Sequence, residues 1–226
     1  MKNNIKYVLP AEIERESMRI IAEELALRGI VLPQETEAVV KRVIHTTADF
    51  DYAENLHFTT GAVRKAVEAL RSGRTVITDT NMAKAGISKA ALKHLSCEAY
   101  CFMADSEVAE AAKAHGTTRA VSAMQKAAKE YPEAVFAVGN APTALLELCK
   151  RIQDGLRPAL VVAVPVGFVN VVESKRRIFQ LCMDCGIPCI AAMGRKGGSN
   201  VAAAICNALA YTALGALDPA QRQALS

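Results

Sequence analysis

The sequence predicts an α/β protein in which a parallel sheet of about five strands has helices on both faces and follows a helical N-terminal segment. Short, continuous apolar runs recur along the second part of the chain, helix-length segments separate them, and Gly and Pro mark the ends of both. Strands buried on both faces have this uninterrupted apolar character. The length suits one domain over residues 1–226, mostly helical over 1–72 and alternating over 73–216.

The N-terminal segment is predicted to be helical from its punctuation and its apolar spacing. Residues 10–28 carry apolar side chains at helical intervals, Pro10 fits a first turn, and Gly29 ends the pattern. A second helix is predicted over 34–46. A third begins after "FTTG", where Thr60 is a candidate cap, and runs to Ser72. A short strand is predicted over 5–9.

The remaining chain alternates between apolar runs and helix-length segments. Strands are predicted over 75–80, 99–103, 134–139, 159–167 and 189–194, and helices over 81–94, 106–130 in two pieces, 142–154, 172–185 and 198–215. Each strand ends in turn residues, and open parallel sheets bind ligands beyond the carboxyl ends of their strands. The candidate site is therefore that edge of the sheet.

Composition excludes several classes of function. The net charge is +4, Lys and Arg are dispersed, and Trp is absent, so nucleic-acid binding is not predicted. No uncharged run is long enough to span a membrane, and the first residues lack a secretory pattern. Seven cysteines lying mostly in apolar runs favour a reduced, cytoplasmic protein.

The run Cys182-Met-Asp-Cys185-Gly-Ile-Pro-Cys189 has two interpretations. It has some of the spacing of a zinc site, but no second CxxC or HxxxH motif accompanies it. The favoured interpretation is a helix end at Cys182 and Cys185, a stop at Gly186, and a strand beginning near Cys189. We predict no metal site.

Two glycine-bearing junctions are candidate anion sites. In "VGNAPTALLEL" (138–148), Asn140 is a candidate cap, and the free N–H groups of the helix start either hold an anion or complete an ordinary junction. In "MGRKGGSNVAAA" (193–204), Arg195 and Lys196 add charge, which favours an anionic ligand. Neither the dinucleotide fingerprint nor a P-loop is present.

Other polar residues near strand ends have structural alternatives. Asp79 and Asn81 either cap the next helix or face a ligand. Arg119 stands at a helix start, where it does not complement the helix dipole, and so is a candidate partner for a carboxylate. Charges within 165–177 are expected to lie on the surface. His45 follows a buried helical stripe and is a weak candidate for proton transfer.

Taken together, these motifs resemble the precorrin-8X methylmutase family, including its cobalt-precorrin-8 form. The resemblance covers about residues 5–215 and is carried by "ERES", "RVIHTTADF", "TDTNM", "GTTRA", "VGNAPTAL", "PVGFVNVVESK" and "GRKGGSN". It implies a flavodoxin-like fold, a homodimer, and a cofactor-independent isomerase of cobalamin biosynthesis. The implied reaction moves a methyl group from ring carbon C11 to C12 of a tetrapyrrole, giving hydrogenobyrinate or cobyrinate.

The resemblance also assigns roles to residues. The family's Arg-x-x-His pattern falls on Arg42 and His45, which makes His45 the expected catalytic residue, and its substrate-contacting serine falls on Ser17. Its Asn-Thr-Arg segment ends at Arg119, with Thr117 in place of the Asn. With the strand-end loops included, the predicted substrate-binding residues are Ser17, Arg42, Arg119, Asn140, Thr143, Gly167, Arg195, Gly197 and Ser199.

The residues leave the choice between metal-free and cobalt-containing substrate open. Two other functions also remain: a tetrapyrrole carrier without catalysis, and a flavodoxin-like protein that binds flavin or nucleotide. The implied substrate has acetate and propionate arms, for which Arg, Lys and helix N-termini are suitable partners. We hypothesise that His45 donates and accepts the proton, while Arg42 and Ser17 position the substrate.

Overall fold

The computed structural model describes residues 9–223, so the predicted strand over 5–9 falls almost wholly outside the described residues. The helices are α1 (Pro10–Leu27), α2 (Gln34–Thr47), α3 (Tyr52–Asn55), α4 (Ala62–Arg71), α5 (Asn81–Gly86), α6 (Lys89–His94), α7 (Ser106–Ala114), α8 (Arg119–Glu130), α9 (Pro142–Gln153), α10 (Val171–Cys185), α11 (Ser199–Leu214) and α12 (Pro219–Gln223), with a 3-10 turn at Phe102–Ala104. The strands are β1 (Leu56–Phe58), β2 (Val76–Thr78), β3 (Ala99–Tyr100), β4 (Val135–Val138), β5 (Leu160–Ala163) and β6 (Cys189–Ala192).

The strands form one mostly parallel sheet in the order β1-β6-β5-β4-β2-β3. Strands β2 to β6 are the five that the sequence predicts, and all run parallel, which confirms the α/β prediction. Strand β1 is an addition: it pairs antiparallel with β6, with Leu56 opposite Ala192. Its amino end therefore lies at the carboxyl end of β6.

Two apolar cores lie on opposite faces of the sheet because strand side chains alternate. Val135 and Ala137 join the core under α2, α4, α5, α6 and α11, whereas Phe136 and Val138 join the core under α7 to α10. Helix α2 packs along α11, and α1 packs on α2. The N-terminal helices thus extend the face that α11 covers.

Two local predictions were wrong. Thr60 does not cap α4: the helix follows Gly61, whose φ of 66° places it in the left-handed region. The predicted helix over 81–94 is two helices, because Ser88 accepts a hydrogen bond from the backbone N–H of Ala91 and starts a second one.

Candidate active site

The loop that follows β6, residues 193–198, lies at the strand-end edge, and we call it the glycine loop. The N–H of Gly198 donates to the carbonyl of Val164 at 2.9 Å, just past β5. A Cβ on Gly197 would lie 2.2 Å from that same carbonyl oxygen, and Gly197 has a φ of +158°. The close approach of the glycine loop to β5 therefore requires glycine at 197.

The end of α2 is joined to the glycine loop. Lys196 Nζ lies 2.6 Å from a carboxylate oxygen of Asp49 and 2.6 Å from one of Asp51. Both acids follow shortly after α2 ends at Thr47, with Ala48 in the left-handed conformation at its C-cap. These ion pairs place the C-terminal end of α2, the end that carries His45, at the strand-end edge.

His45 is half-buried on α2. Burial lowers the pKa of its imidazole, Arg42 and Arg222 lower it further, and Glu14 opposes them. A lowered pKa favours the neutral form of the imidazole, which can accept a proton.

Arg42 belongs to a compact charged cluster on the same face. Its Nη2 lies 2.6 Å from Oε1 of Glu14, and Arg222 pairs with the same carboxylate. Both guanidinium groups stand over the ring of Tyr211, with distances to its centroid of 5.5 Å for Arg42 and 4.5 Å for Arg222. Two cations share one anion, so the cluster carries excess positive charge of the sign that an acidic ligand requires.

Glu14 should make a pH-dependent contribution to stability. Burial opposes ionisation, but hydrogen bonds from Arg222 and Arg42 outweigh it and hold the pKa of Glu14 below its ordinary value of 4.5. The stabilisation is therefore present above pH 4.5 and is lost as the pH falls through the lowered pKa. We expect Glu14→Gln to reduce the free energy of unfolding by about 1–2 kcal/mol at pH 7, and by less as the pH falls below 4.5.

Urea unfolding at a series of pH values from 7 downwards tests this. The matched control is Glu23→Gln, which removes an exposed carboxylate of α1 that pairs with Arg19. A loss of stability in Glu14→Gln that is equal at every pH would contradict the expectation.

Ser17 lies one turn after Glu14 on α1, and its side chain is partly buried. Its Oγ donates to the carbonyl of Ile13 at 2.8 Å. Helix α1, which carries Ser17, packs against α2, which carries Arg42 and His45.

The "GNAP" turn after β4 already holds an anion from the protein itself. The buried carboxylate of Asp79 accepts hydrogen bonds from the backbone N–H groups of Gly139 (2.8 Å), Asn140 (2.8 Å) and Ala141 (2.7 Å). Burial raises the pKa of the Asp79 carboxyl, and these donors oppose that shift. The sequence left two interpretations of this junction open, an anion site and an ordinary strand-helix turn, and in the structure the N–H groups of the turn at 139–141 are occupied by Asp79.

The caps in this region also differ from the prediction. Helix α9 begins after Ala141 without a side-chain cap, so Asn140 is not its cap, and the Asn140 side chain is exposed at the edge. Helix α5 is capped by Thr80, which accepts from the N–H of Ala83, and not by Asp79.

The remaining predicted residues lie in adjoining turns along the strand-end edge, and we call this part of the edge the rim. Thr118 Oγ1 lies 3.3 Å from Thr143 Oγ1, which brings the exposed Arg119 beside the "GNAPTAL" segment. The glycine loop contacts the "GNAP" turn closely. A Cβ added to Gly139 would lie 2.8 Å from the carbonyl oxygen of Gly198. Ser199 Oγ is 2.7 Å from Thr80 Oγ1, so its hydroxyl already has a partner within the protein.

The loop after β5 gives the rim an apolar part. Phe168 is 82% exposed and Val169 is 78% exposed, although both are large hydrophobic residues. The guanidinium carbon of Arg195 lies 5.4 Å from the centroid of the Phe168 ring. Gly167, with a φ of 142°, turns the chain there and donates to the carbonyl of Arg195 at 3.3 Å. Apolar and cationic groups thus stand side by side.

Sequence reasoning missed several contributors to this region. They are Glu14, Lys175, Tyr211 and Arg222. Asp79 was predicted near the site from its position directly after a strand, but not as the acceptor for the "GNAP" turn. Glu14 stands in the "ERES" segment, but nothing local indicates its pairing with Arg222, which is 208 positions away.

Within residues 9–223, no group of three or more His, Cys, Asp or Glu side chains is arranged to hold a metal ion. The favoured interpretation of the cysteine run is confirmed: α10 ends at Cys185, Gly186 follows with a φ of 68°, and β6 begins at Cys189. Among the same residues, no helix is both long and apolar enough to cross a membrane.

The fold and the rim define an α/β protein whose ligand edge joins exposed cations, glycine-bearing turns and an apolar patch, with an imidazole on the adjoining helix. Residues 12–212 match the family model described as precorrin-8X methylmutase. The chain belongs to the precorrin-8X methylmutase family. A methylmutase is an isomerase that moves a methyl group within one molecule, so the predicted enzyme class is confirmed.

Individual relatives agree with the family match. A cobalt-precorrin-8 methylmutase of Leptospira interrogans is 43% identical over 89% of this chain and 93% of its own length. One from Priestia megaterium is 41% identical, covering 91% and 89%. The crystal structure of a precorrin-8X methylmutase from Thermus thermophilus superposes with a TM-score of 0.81 at 37% identity, covering 90% of this chain and 98% of that one.

Proposed function

We propose that this chain moves a methyl group from ring carbon C11 to C12 of precorrin-8X or cobalt-precorrin-8, giving hydrogenobyrinate or cobyrinate. The proposed reaction is the one that the family's name describes. The structural observation that carries the proposal is the two salt bridges from Lys196 to Asp49 and Asp51. They hold the end of α2, which carries His45, against the glycine loop.

The rim suits a broad, flat acid with several arms. Arg119 and Arg195 are exposed cations that can pair with acetate and propionate groups, and charge-assisted bonds are roughly twice as strong as neutral ones. Phe168 and Val169 offer an apolar surface to the face of the macrocycle. Asn140 and Thr143, on the neighbouring turn, add polar contacts at the edge.

His45 is proposed as the group that transfers the proton. Methyl migration is a rearrangement within one molecule, so a proton delivered to the ring to shift its electrons must be taken back afterwards. The substrate's carboxylates bring negative charge, which raises the pKa of a nearby imidazole. His45 would therefore bind a proton more readily in the complex than alone, while Ser17 and Arg42 orient the ring system.

Incubation with each substrate form, followed by visible spectroscopy of the product, tests the proposal. We expect conversion of at least one form, because the relatives carry names for both. Tight binding of product without any isomerisation would support the carrier alternative. Flavin or nucleotide bound to the purified protein, without isomerisation, would support the flavodoxin-like alternative.

We also propose that the enzyme is a homodimer joined through α1. Ile13 (52% exposed), Ile20 (48%) and Leu27 (88%) recur every second turn of that helix and form an apolar stripe that is exposed among residues 9–223. Ile20→Glu should convert the dimer to a monomer in light scattering. The matched control is Met183→Glu at an equally exposed site on α10. A wild-type monomer at micromolar concentration would contradict the proposal.

Two further inferences complete the proposal. Residues 1–226 act as one methylmutase domain, which is supported by the packing of α2 from the helical part along α11 from the alternating part.

The enzyme works in the cytoplasm, which is supported by seven cysteines that are all free thiols.

A further inference from the structure

Lys175 is an unusual residue because its side chain is completely buried. It lies in the second turn of α10 and has no exposed surface. A fully buried lysine is rare unless its ammonium group is paired. Charges in this part of the sequence were expected on the surface, so the prediction was wrong for Lys175.

The ammonium group of Lys175 binds the backbone of the glycine loop. Its Nζ donates to the carbonyl of Gly194 at 3.0 Å and to the carbonyl of Lys196 at 2.7 Å. Arg195 lies between these two residues, and its own carbonyl accepts from the N–H of Gly167. Three consecutive carbonyls of the loop therefore have donors, two from Lys175 and one from Gly167.

The glycine loop needs such support. Gly194, Gly197 and Gly198 all have positive φ values, of 78°, 158° and 136°, in a region of backbone space that glycine enters freely. A segment with three glycines loses much conformational entropy when it adopts one shape. The contacts from Lys175 restrict the part of the loop that carries Arg195.

The charge of Lys175 is also left without an anion from the described part of the chain. Its partners are neutral carbonyls, and among residues 9–223 no carboxylate forms an ion pair with it. Burial alone lowers the pKa of the ammonium group to about 8. A positive charge in this position favours an anionic ligand at the adjoining loop.

We propose that Lys175 is a positioning residue: it fixes the backbone on both sides of Arg195, so that the Arg195 guanidinium meets a carboxylate arm of the substrate. The inference rests on the proposed function, because it concerns the same site. Lys175 acts through Arg195 and does not itself touch the ligand.

The test is a double-mutant cycle that measures the dissociation constant of the product, hydrogenobyrinate or cobyrinate, by spectroscopic titration. Lys175→Met keeps the buried length and removes the donor, and Arg195→Gln removes the charge that it positions. We expect each single variant to bind product about tenfold or more weakly, as loss of a charge-assisted contact implies. The double variant should bind no more than about threefold more weakly than Arg195→Gln alone, because coupled residues are not additive.

Controls separate positioning from general stability. Ser174→Ala removes another buried polar group of α10, whose Oγ donates to the carbonyl of Val171 in its own helix, and should bind product like the wild type. If Lys175→Met does not fold, Lys175→Gln, which keeps a side-chain N–H donor without the charge, replaces it in the cycle.

The outcomes are distinguishable. Multiplicative effects of the two substitutions, or wild-type affinity in folded Lys175→Met, would overturn the positioning role and leave the proposed function intact. A wild-type protein that binds neither product would overturn the proposed function and this inference with it.

Discussion

Replacement of His45 by Ala or Asn should lower the rate of methyl transfer by about 10²–10⁴-fold, while the product still binds. One positioned proton-transfer group contributes that range, or roughly 3–5 kcal/mol of transition-state stabilisation. His45 is suited to the role because it is half-buried, because burial lowers the pKa of its imidazole, and because its helix is tied to the glycine loop through Lys196. Single-turnover rates and product titrations measure the two effects separately.

The matched control is His115→Ala, which removes an exposed histidine at the end of α7 whose Nδ1 contacts the carbonyl of Ala111. It should leave both the rate and the affinity unchanged. Methyl transfer at near the wild-type rate in His45→Ala would remove His45 from the mechanism. Equal losses of rate and affinity would assign it to binding instead.

The regular elements could be predicted because each carries its own punctuation. Pro10 begins α1, Gly186 ends α10, and continuous apolar runs mark the buried parallel strands. Strand β1 could not be predicted in this way. It is three residues long and exists because Leu56 to Phe58 pair with β6, and such pairing leaves no local pattern.

The outline of the site was also predictable, but its internal partners were not. Parallel strands deliver their carboxyl-end loops to one edge, so glycine and basic residues after the strands had to lie near one another. Which polar groups satisfy each other depends on long-range contacts. Asp79 fills the N–H groups of a turn 60 residues away, and Glu14 pairs with Arg222 across almost the whole chain.

The burial of Lys175 likewise could not be predicted from the sequence. A lysine on a helix with charged neighbours is normally solvated, and nothing local distinguishes this one. Its burial follows from the path of the glycine loop, whose carbonyls at 194 and 196 point back at α10. Loop geometry of this kind arises only when the sheet and both helix layers are assembled.

Replacement of Asp79 should have the largest effect on stability. Asp79 is 1% exposed, and its carboxylate is the acceptor for three consecutive backbone N–H groups, at 2.7–2.8 Å, in the turn that follows the neighbouring strand β4. Asp79→Ala would leave those donors without their partner and open a small cavity. An unsatisfied buried polar group costs about 1–3 kcal/mol, so we expect a loss of about 3 kcal/mol or more in the free energy of unfolding.

Urea denaturation of three variants tests the role of Asp79. Asp79→Asn keeps the volume and one acceptor oxygen and should fall between Asp79→Ala and the wild type. Asp154→Ala removes an exposed acid at the end of α9, whose carboxylate lies 3.8 Å from Arg151, and should change stability by no more than about 0.5 kcal/mol. If Asp79→Ala were as stable as Asp154→Ala, the carboxylate would not be what holds the "GNAP" turn. Because that turn also touches the glycine loop through Gly139, a destabilised Asp79→Ala should in addition bind product more weakly wherever it remains folded.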